Sequence, residues 1–270
     1  MVTKERLQTR LADYRPPAFL VDDIDLTFDL DSEATRVTAE SRLHRNPACG
    51  DAAAPLTLYG DGLKLLSLRI DGREPVGLHE EGESLEILGG PDEFTLLVET
   101  EIAPAGNTRL EGLYLSNGIF CTQCEAEGFR RISWFPDRPD VMATYRVTIR
   151  ADKRDQPVLL SNGNLEDSGE LADGRHYAVW HDPFPKPSYL FALVAGDLGC
   201  LRDCFTTLSG RDVDLRIYTH HGYEERCAYA MDSLKRSMAW DERTFGLEYD
   251  LDRFNIVAIN DFNMGAMENK

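Results

Sequence analysis

The chain has 270 residues, 42% apolar and 28% charged, which is room for two folded domains and excludes a disordered or fibrous chain. Lysine and arginine number 29 against 47 aspartates and glutamates, a formal charge of −18. A surface of that sign repels phosphate, so nucleic acid and anionic membranes are excluded as main partners.

Residues 1–17 are charged and lack the apolar stretch of a secretory signal. No apolar run reaches the length of a membrane span. The expectation is a cytoplasmic protein whose six cysteines are free thiols. Along the first two thirds, apolar residues alternate with polar ones. Ile24, Leu26, Phe28 and Leu30 do so between Asp25, Thr27 and Asp29, the period of a half-buried strand. The carboxylates from Asp22 to Asp31 then form its solvated face.

Leu66, Leu68 and Ile70 repeat the pattern and run into Asp71-Gly72, a hairpin-turn dipeptide. Leu85 and Ile87 precede Gly89-Gly90, and a run from Phe94 to Ile102 stops before Pro104. Tyr145 to Ile149 alternate too, as do Tyr177 and Val179 after Asp173-Gly174. Short strands joined by turn chemistry predict a large antiparallel sheet or sandwich.

Tyr189 to Ala195 is almost continuously apolar and predicts a buried strand. It ends at Gly196-Asp197, the expected boundary between a domain over 1–197 and a second over 198–270. Val213, Leu215 and Ile217 give one more alternating strand. A helix follows: Cys227, Met231, Leu234, Met238 and Phe245 fall at helical spacings, and Gly246 fits its stop. Phe254 to Ile259 predicts a last buried strand, left with an unpaired edge.

After it comes Met264-Gly265-Ala266-Met267-Glu268-Asn269. Gly265 permits close approach of another backbone. Glu268 beside such a strand could hold a ligand cation, for which a protonated α-amino group is suited. The plainer reading of these residues alone is that it caps or solvates the next element, since short motifs match by chance.

Two other clusters imitate chemistry. Cys121-x-x-Cys124 could be a redox pair or half a zinc knuckle, yet Cys200 and Cys204 do not complete one and no βαβ context surrounds it. Two small residues on a strand or turn is the plainer reading. His220-His221 with Glu224 and Glu225 resembles a metal cluster. It reads more simply as a polar turn into the helix.

Gly265-Ala266-Met267-Glu268-Asn269 closely resembles the exopeptidase motif of the aminopeptidase N family of zinc metallopeptidases. Leu110-Glu111-Gly112-Leu113-Tyr114, Cys121-Thr122-Gln123-Cys124-Glu125-Ala126-Glu127-Gly128-Phe129-Arg130 and Asp137-Arg138-Pro139-Asp140-Val141 are similar to its bacterial cytosolic subgroup. So are Leu160 to Asn164, Asp182 to Pro187 and Phe191 to Asp197.

The resemblance implies a mainly β fold: a saddle-like antiparallel N-terminal domain, then the α+β start of a thermolysin-like catalytic domain. It implies that Glu268, with Gln123 and Glu125, binds the α-amine of a peptide with a free N-terminus. Gly265 and Ala266 would lie along the substrate backbone. Met264 would line the pocket for its first side chain, where a flexible thioether suits varied residues, and Met267 would join this substrate-binding block.

The family also needs zinc on an H-E-x-x-H motif with a further Glu, the motif's own Glu being the base. His44, His79, His176, His181, His220 and His221 are the only histidines and none starts that motif. The expectation is therefore that zinc and the transition-state tyrosine belong to the remainder of an aminopeptidase chain and that this stretch alone is inactive. The other reading is a non-catalytic β module that binds peptides or proteins. An H-E-x-x-H soon after Lys270 separates the two.

Overall fold

The computed structural model describes residues 10–270. Its strands are, in order, β1 (Phe19–Asp29), β2 (Thr35–Arg45), β3 (Leu56–Tyr59), β4 (Lys64–Ile70), β5 (Leu78–Glu81), β6 (Ser84–Ile87) and β7 (Glu93–Ile102). Then come β8 (Gly112–Ser116), β9 (Ile119–Gln123), β10 (Met142–Asp152), β11 (Val158–Ser161), β12 (Asn164–Glu170) and β13 (Arg175–Pro187). β14 (Leu193–Gly196), β15 (Gly199–Thr206) and β16 (Asp212–Thr219) precede the single α-helix among the described residues, α1 (Ala228–Phe245), and β17 (Arg253–Val257) ends the series. The chain is mainly β, as the alternation predicts.

The largest sheet has the order β12-β13-β10-β1-β2-β7-β4. Its pairs are antiparallel except β1 with β10, which run parallel from Asp23↔Thr144 to Asp29↔Arg150. Ile24, Leu26 and Phe28 are buried on one face together with Val37, Ala39, Val147 and Ile149. The opposite face carries ion pairs such as Arg42 with Asp23. Period-two patterning makes this division, because successive side chains leave a strand on opposite sides.

A second sheet, β11-β14-β9-β8, covers the apolar face. Phe129 lies edge-on to Phe135 at 5.2 Å and to Phe191 at 5.4 Å between ring centres, a favoured aromatic geometry. Asp182 and Lys186 are fully enclosed at 0% and 1% exposure, 3.1 Å apart, with the ammonium 3.8 Å from the Tyr145 ring centre. Burial pulls the Lys186 pKa down to about 8, against the opposing pull of Asp182.

A third sheet, β15-β16-β17, packs under α1. Val213, Leu215, Ile217, Met231, Leu234 and Met238 form a small core there, separate from the main one. Gly246 closes α1 in the left-handed region at φ 68°, as expected of a helix-stop glycine. A fourth, minor sheet has the order β3-β6-β5.

Three expectations need correction. Phe245 is 61% exposed and rests on Trp240 outside the core. Glu242 is buried in its place, its carboxylate accepting the Leu208 amide at 3.2 Å. Tyr189 to Ala195 is not one strand. Ser188–Leu190 is a helical turn and only Leu193–Gly196 pairs, because Asp137 holds the Ser188 hydroxyl at 2.5 Å and Asn162 Oδ1 captures the Ala192 amide at 2.8 Å. The last strand stops at Val257 and is half-buried. Asp71 and Gly72 do make a tight turn with positive φ, closed by paired bonds between Ile70 and Arg73.

Candidate functional site

β9 is buried at every position from Ile119 to Gln123, since it is flanked by β8 and β14 and lies over the main core. It delivers the chain into a tight turn from Cys124 to Gly128, where the Gly128 amide donates to the Cys124 carbonyl at 2.8 Å. A Cβ at Gly128 would come within 2.6 Å of the Gln123 carbonyl oxygen, so only glycine fits there. Gln123 is 1% exposed. Its Oε1 accepts the Glu125 amide at 3.2 Å, and its Nε2 is buried with no partner. The Glu125 side chain is half-buried.

Asp137 braces the other side of the turn. It accepts the Arg130 amide and Nε at 3.2 and 3.0 Å, and the Ser188 hydroxyl at 2.5 Å. The turn carrying Glu125 is thereby tied to the helical turn at Ser188–Leu190.

After β17 the chain leaves the sheet and crosses back over the second sheet without regular structure. Its start is latched to β8. The Asp261 carboxylate accepts Ser116 Oγ at 2.8 Å and Asn117 Nδ2 at 3.4 Å, and its carbonyl accepts the Tyr114 hydroxyl at 3.0 Å. Asn263 Nδ2 donates to the Leu110 carbonyl at 2.9 Å. Its end is clasped to the Ser188 turn. Asn269 Nδ2 donates to the Leu190 and Phe191 carbonyls at 3.0 and 3.2 Å, and Asn162 Nδ2 donates to the Lys270 carbonyl at 2.7 Å.

Between these ends, Met264 to Glu268 span open space along a cleft of about 770 Å³. Cys121, Thr122, Asn162, Tyr249 and Asn255 line its other walls. Among the described residues no cation pairs with the carboxylates of Glu125 or Glu268, and Glu268 is exposed. A Cβ at Gly265 would meet nothing within 4 Å. This chain's own packing therefore does not demand glycine there.

The predicted site residues are thus placed in two groups. Met264, Gly265, Ala266, Met267 and Glu268 share the wall of one cleft. Gln123 and Glu125 do not line it; they follow directly on Cys121 and Thr122, which do. The latch at Asp261, Ser116 and Tyr114 and the clasp at Asn162 and Asn269 escaped sequence reasoning. The crowd of polar side chains in Asn260-Asp261-Phe262-Asn263 is a signal for side-chain bonding to backbone, but it does not name the distant partner.

Cys121 and Cys124 are plain packing residues. Cys121 faces the cleft beside the Tyr114 hydroxyl, and its thiol is pushed up to about 11 by burial. Cys124 belongs to the main core, and burial raises its thiol further. Two free thiols held protonated on different sides of the chain are poor redox partners. His221 Nε2 lies 2.8 Å from Asp197 and its Nδ1 3.8 Å from Glu224, in the turn that enters the helical segment Glu224–Cys227. Among the described residues no group of three or more histidine, cysteine, aspartate or glutamate side chains could hold a metal ion, and no helix is long and apolar enough to cross a membrane.

Comparison with known proteins places this arrangement. Residues 80–190 match the Peptidase M1 N-terminal domain, and residues 229–270 match the Peptidase family M1 domain. The chain is 57% identical over 263 residues to Aminopeptidase N of Caulobacter vibrioides, covering 96% of this chain and 30% of that protein. It is 56% identical over 258 residues to Aminopeptidase N of Escherichia coli, covering 96% of this chain and 29% of that protein. It therefore spans under a third of the length of these relatives. A crystal structure of Legionella pneumophila aminopeptidase A in complex with aspartic acid superposes with a TM-score of 0.92 at 36% identity, over 97% of this chain and 31% of that one. With this much of its length aligned in sequence and in fold, the chain belongs to peptidase family M1, the family of the aminopeptidases N.

Proposed function

We propose that this chain is the substrate-recognising part of a zinc-dependent aminopeptidase that removes single residues from the free N-termini of peptides. The observation that carries the reading is the Met264–Glu268 block, held across a cleft with the Glu268 carboxylate paired to no cation among the described residues. Glu125 and the Gln123 carbonyl group stand at the end of the neighbouring β9. A substrate ammonium is the cation that converging carboxylates would pair, since a charge withdrawn from water needs a partner. Such pairing selects peptide ends over internal bonds. The open side of Gly265 supports passage of a substrate backbone, and Met264 supports an adaptable first-residue pocket.

Zinc is the metal of this family, and the described residues do not fit it. The metal and the group that activates water are assigned to polypeptide matching the rest of the relatives' length, which is the remaining partner of this chain. The division at Asp197, into a β domain over 1–197 and the start of a peptidase domain over 198–270, belongs to the same proposal. The separate apolar core under α1 supports it. A bacterial cytoplasmic setting is a further part of the proposal, in keeping with free cysteines and bacterial relatives. The reading as a non-catalytic binding module is not favoured, because the family match continues through residues 229–270.

The test is Glu268→Ala in the full-length enzyme. Losing a hydrogen-bonded charge raises KM for free-amine substrates about 10–100-fold. Unchanged KM, or equal handling of acetylated and free peptides by the parent enzyme, removes the amine-anchor role.

A further inference from the structure

We propose that Asp261, latched to the β8–β9 hairpin through Ser116 and Tyr114, is a positioning residue that sets the register of Glu268 against Gln123 and Glu125. The inference rests on the amine-anchor reading and adds how the anchor is held in place.

Strands β8 and β9 are paired along their whole length, with Gly112 opposite Gln123, Tyr114 opposite Cys121 and Ser116 opposite Ile119. Every group that grips Asp261 therefore stands on, or directly beside, the same rigid hairpin that ends in Gln123. The grip is threefold. Ser116 Oγ and Asn117 Nδ2 hold the carboxylate, and the Tyr114 hydroxyl holds the carbonyl. Ser116 and Tyr114 are buried at 2% and 0% exposure, so in the assembled structure their bonds to Asp261 are shielded from competing water.

From Met264 to Glu268 the segment makes no hydrogen bond among the described residues, so its course depends on where its ends are tied. Asn263 reinforces the upstream tie through Leu110, and Asn269 with Asn162 makes the downstream one. Recognition of one ammonium by groups from two separate segments demands placement to within about 0.5 Å. Asp261 is the link that transmits the hairpin's position to the segment.

The experiment uses the full-length enzyme as wild type and as Asp261→Ala, Asp261→Asn, Ser116→Ala and Glu268→Ala. It measures kcat and KM on a free-amine aminoacyl anilide, with the Tm of each variant. Asp261→Ala is expected to raise KM about tenfold, equivalent to about 1.4 kcal/mol, with kcat changed less than about twofold. Asp261→Asn retains an oxygen for Ser116 to donate to and is expected to restore most of the wild-type KM. Ser116→Ala removes the same bond from the hairpin side. It decides the matter if Asp261→Ala folds poorly, and its effect on KM should not add to that of Asp261→Ala. If Glu268→Ala raises KM while Asp261→Ala and Ser116→Ala leave it at the wild-type value, the positioning role is overturned and the amine-anchor reading stands. If Glu268→Ala leaves KM unchanged, the amine-anchor reading falls and this inference with it. A uniform fall in Tm and kcat that Asp261→Asn does not rescue marks Asp261 as merely structural.

Discussion

The β8–β9 hairpin and the segment from Asn260 to Lys270 meet at one cleft but are built on opposite principles. The hairpin is held by a complete ladder of backbone bonds, and β9 is buried at each residue. The segment has no ladder. A few aspartate and asparagine side chains tie it at its two ends. Backbone pairing with burial gives a fixed platform, while side-chain ties give a strap that opens locally at lower cost. On the proposed function, the cleft would meet a substrate with one fixed wall and one compliant wall.

The largest expected effect breaks the fixed wall's foundation. Lys186→Met leaves Asp182 enclosed without its cation, and losing one partner of a buried pair costs about 3–5 kcal/mol. The midpoint of urea unfolding reads it; an unshifted midpoint would show that the pair contributes nothing net.

Next is a contrast of two glycines. Gly163 has φ +84°, and a Cβ there would lie 2.1 Å from the His181 carbonyl oxygen. Gly163→Ala should cost about 1–3 kcal/mol from backbone conformation alone, with the clash adding to it. Gly265→Ala on the strap meets open space and should change stability by less than about 0.5 kcal/mol, while lowering kcat/KM of the full-length enzyme. Equal stability losses for the two would erase the distinction between wall and strap.

The smallest effect lies at the turn before α1. The Asp197 carboxylate holds the His221 imidazolium above its ordinary range. A histidine whose folded pKa is raised stabilises the fold below its unfolded pKa of about 6.5, and that contribution fades as pH rises through the raised value. His221→Asn should flatten the unfolding midpoint across that window and leave it unchanged at higher pH. A His221→Asn profile that keeps the wild-type slope would remove this pair from the account.

Much of the large seven-stranded sheet was legible in the sequence, because its long strands alternate strongly. β1 and β7 declare themselves through large apolar residues at every second position. β2 does not, since Ala39 and Ser41 occupy inward positions in its middle, and small or polar residues blur the period. β9 escaped as well, being short and buried on both faces, with Thr122 and Gln123 among its buried residues. Phe245 and Glu242 exchanged roles because the core under α1 runs out one turn before the helix does. At the strap only the resemblance carried weight. Its composition shows polar side chains in plenty, but Ser116 and Asp261 stand 145 residues apart, and no local period can join them.

The strap's two moorings also fix its length. Between Asn263 and Asn269 the chain can bow toward a ligand, yet it cannot slide along the cleft without giving up one mooring. One residue inserted at Ala266 would have to be taken up within that span. It would move Glu268 by up to about 3.3–3.6 Å, which is more than a hydrogen bond tolerates. Five residues of irregular chain thus behave as a ruler, and on the proposed amine-anchor role their number matters as much as their identity.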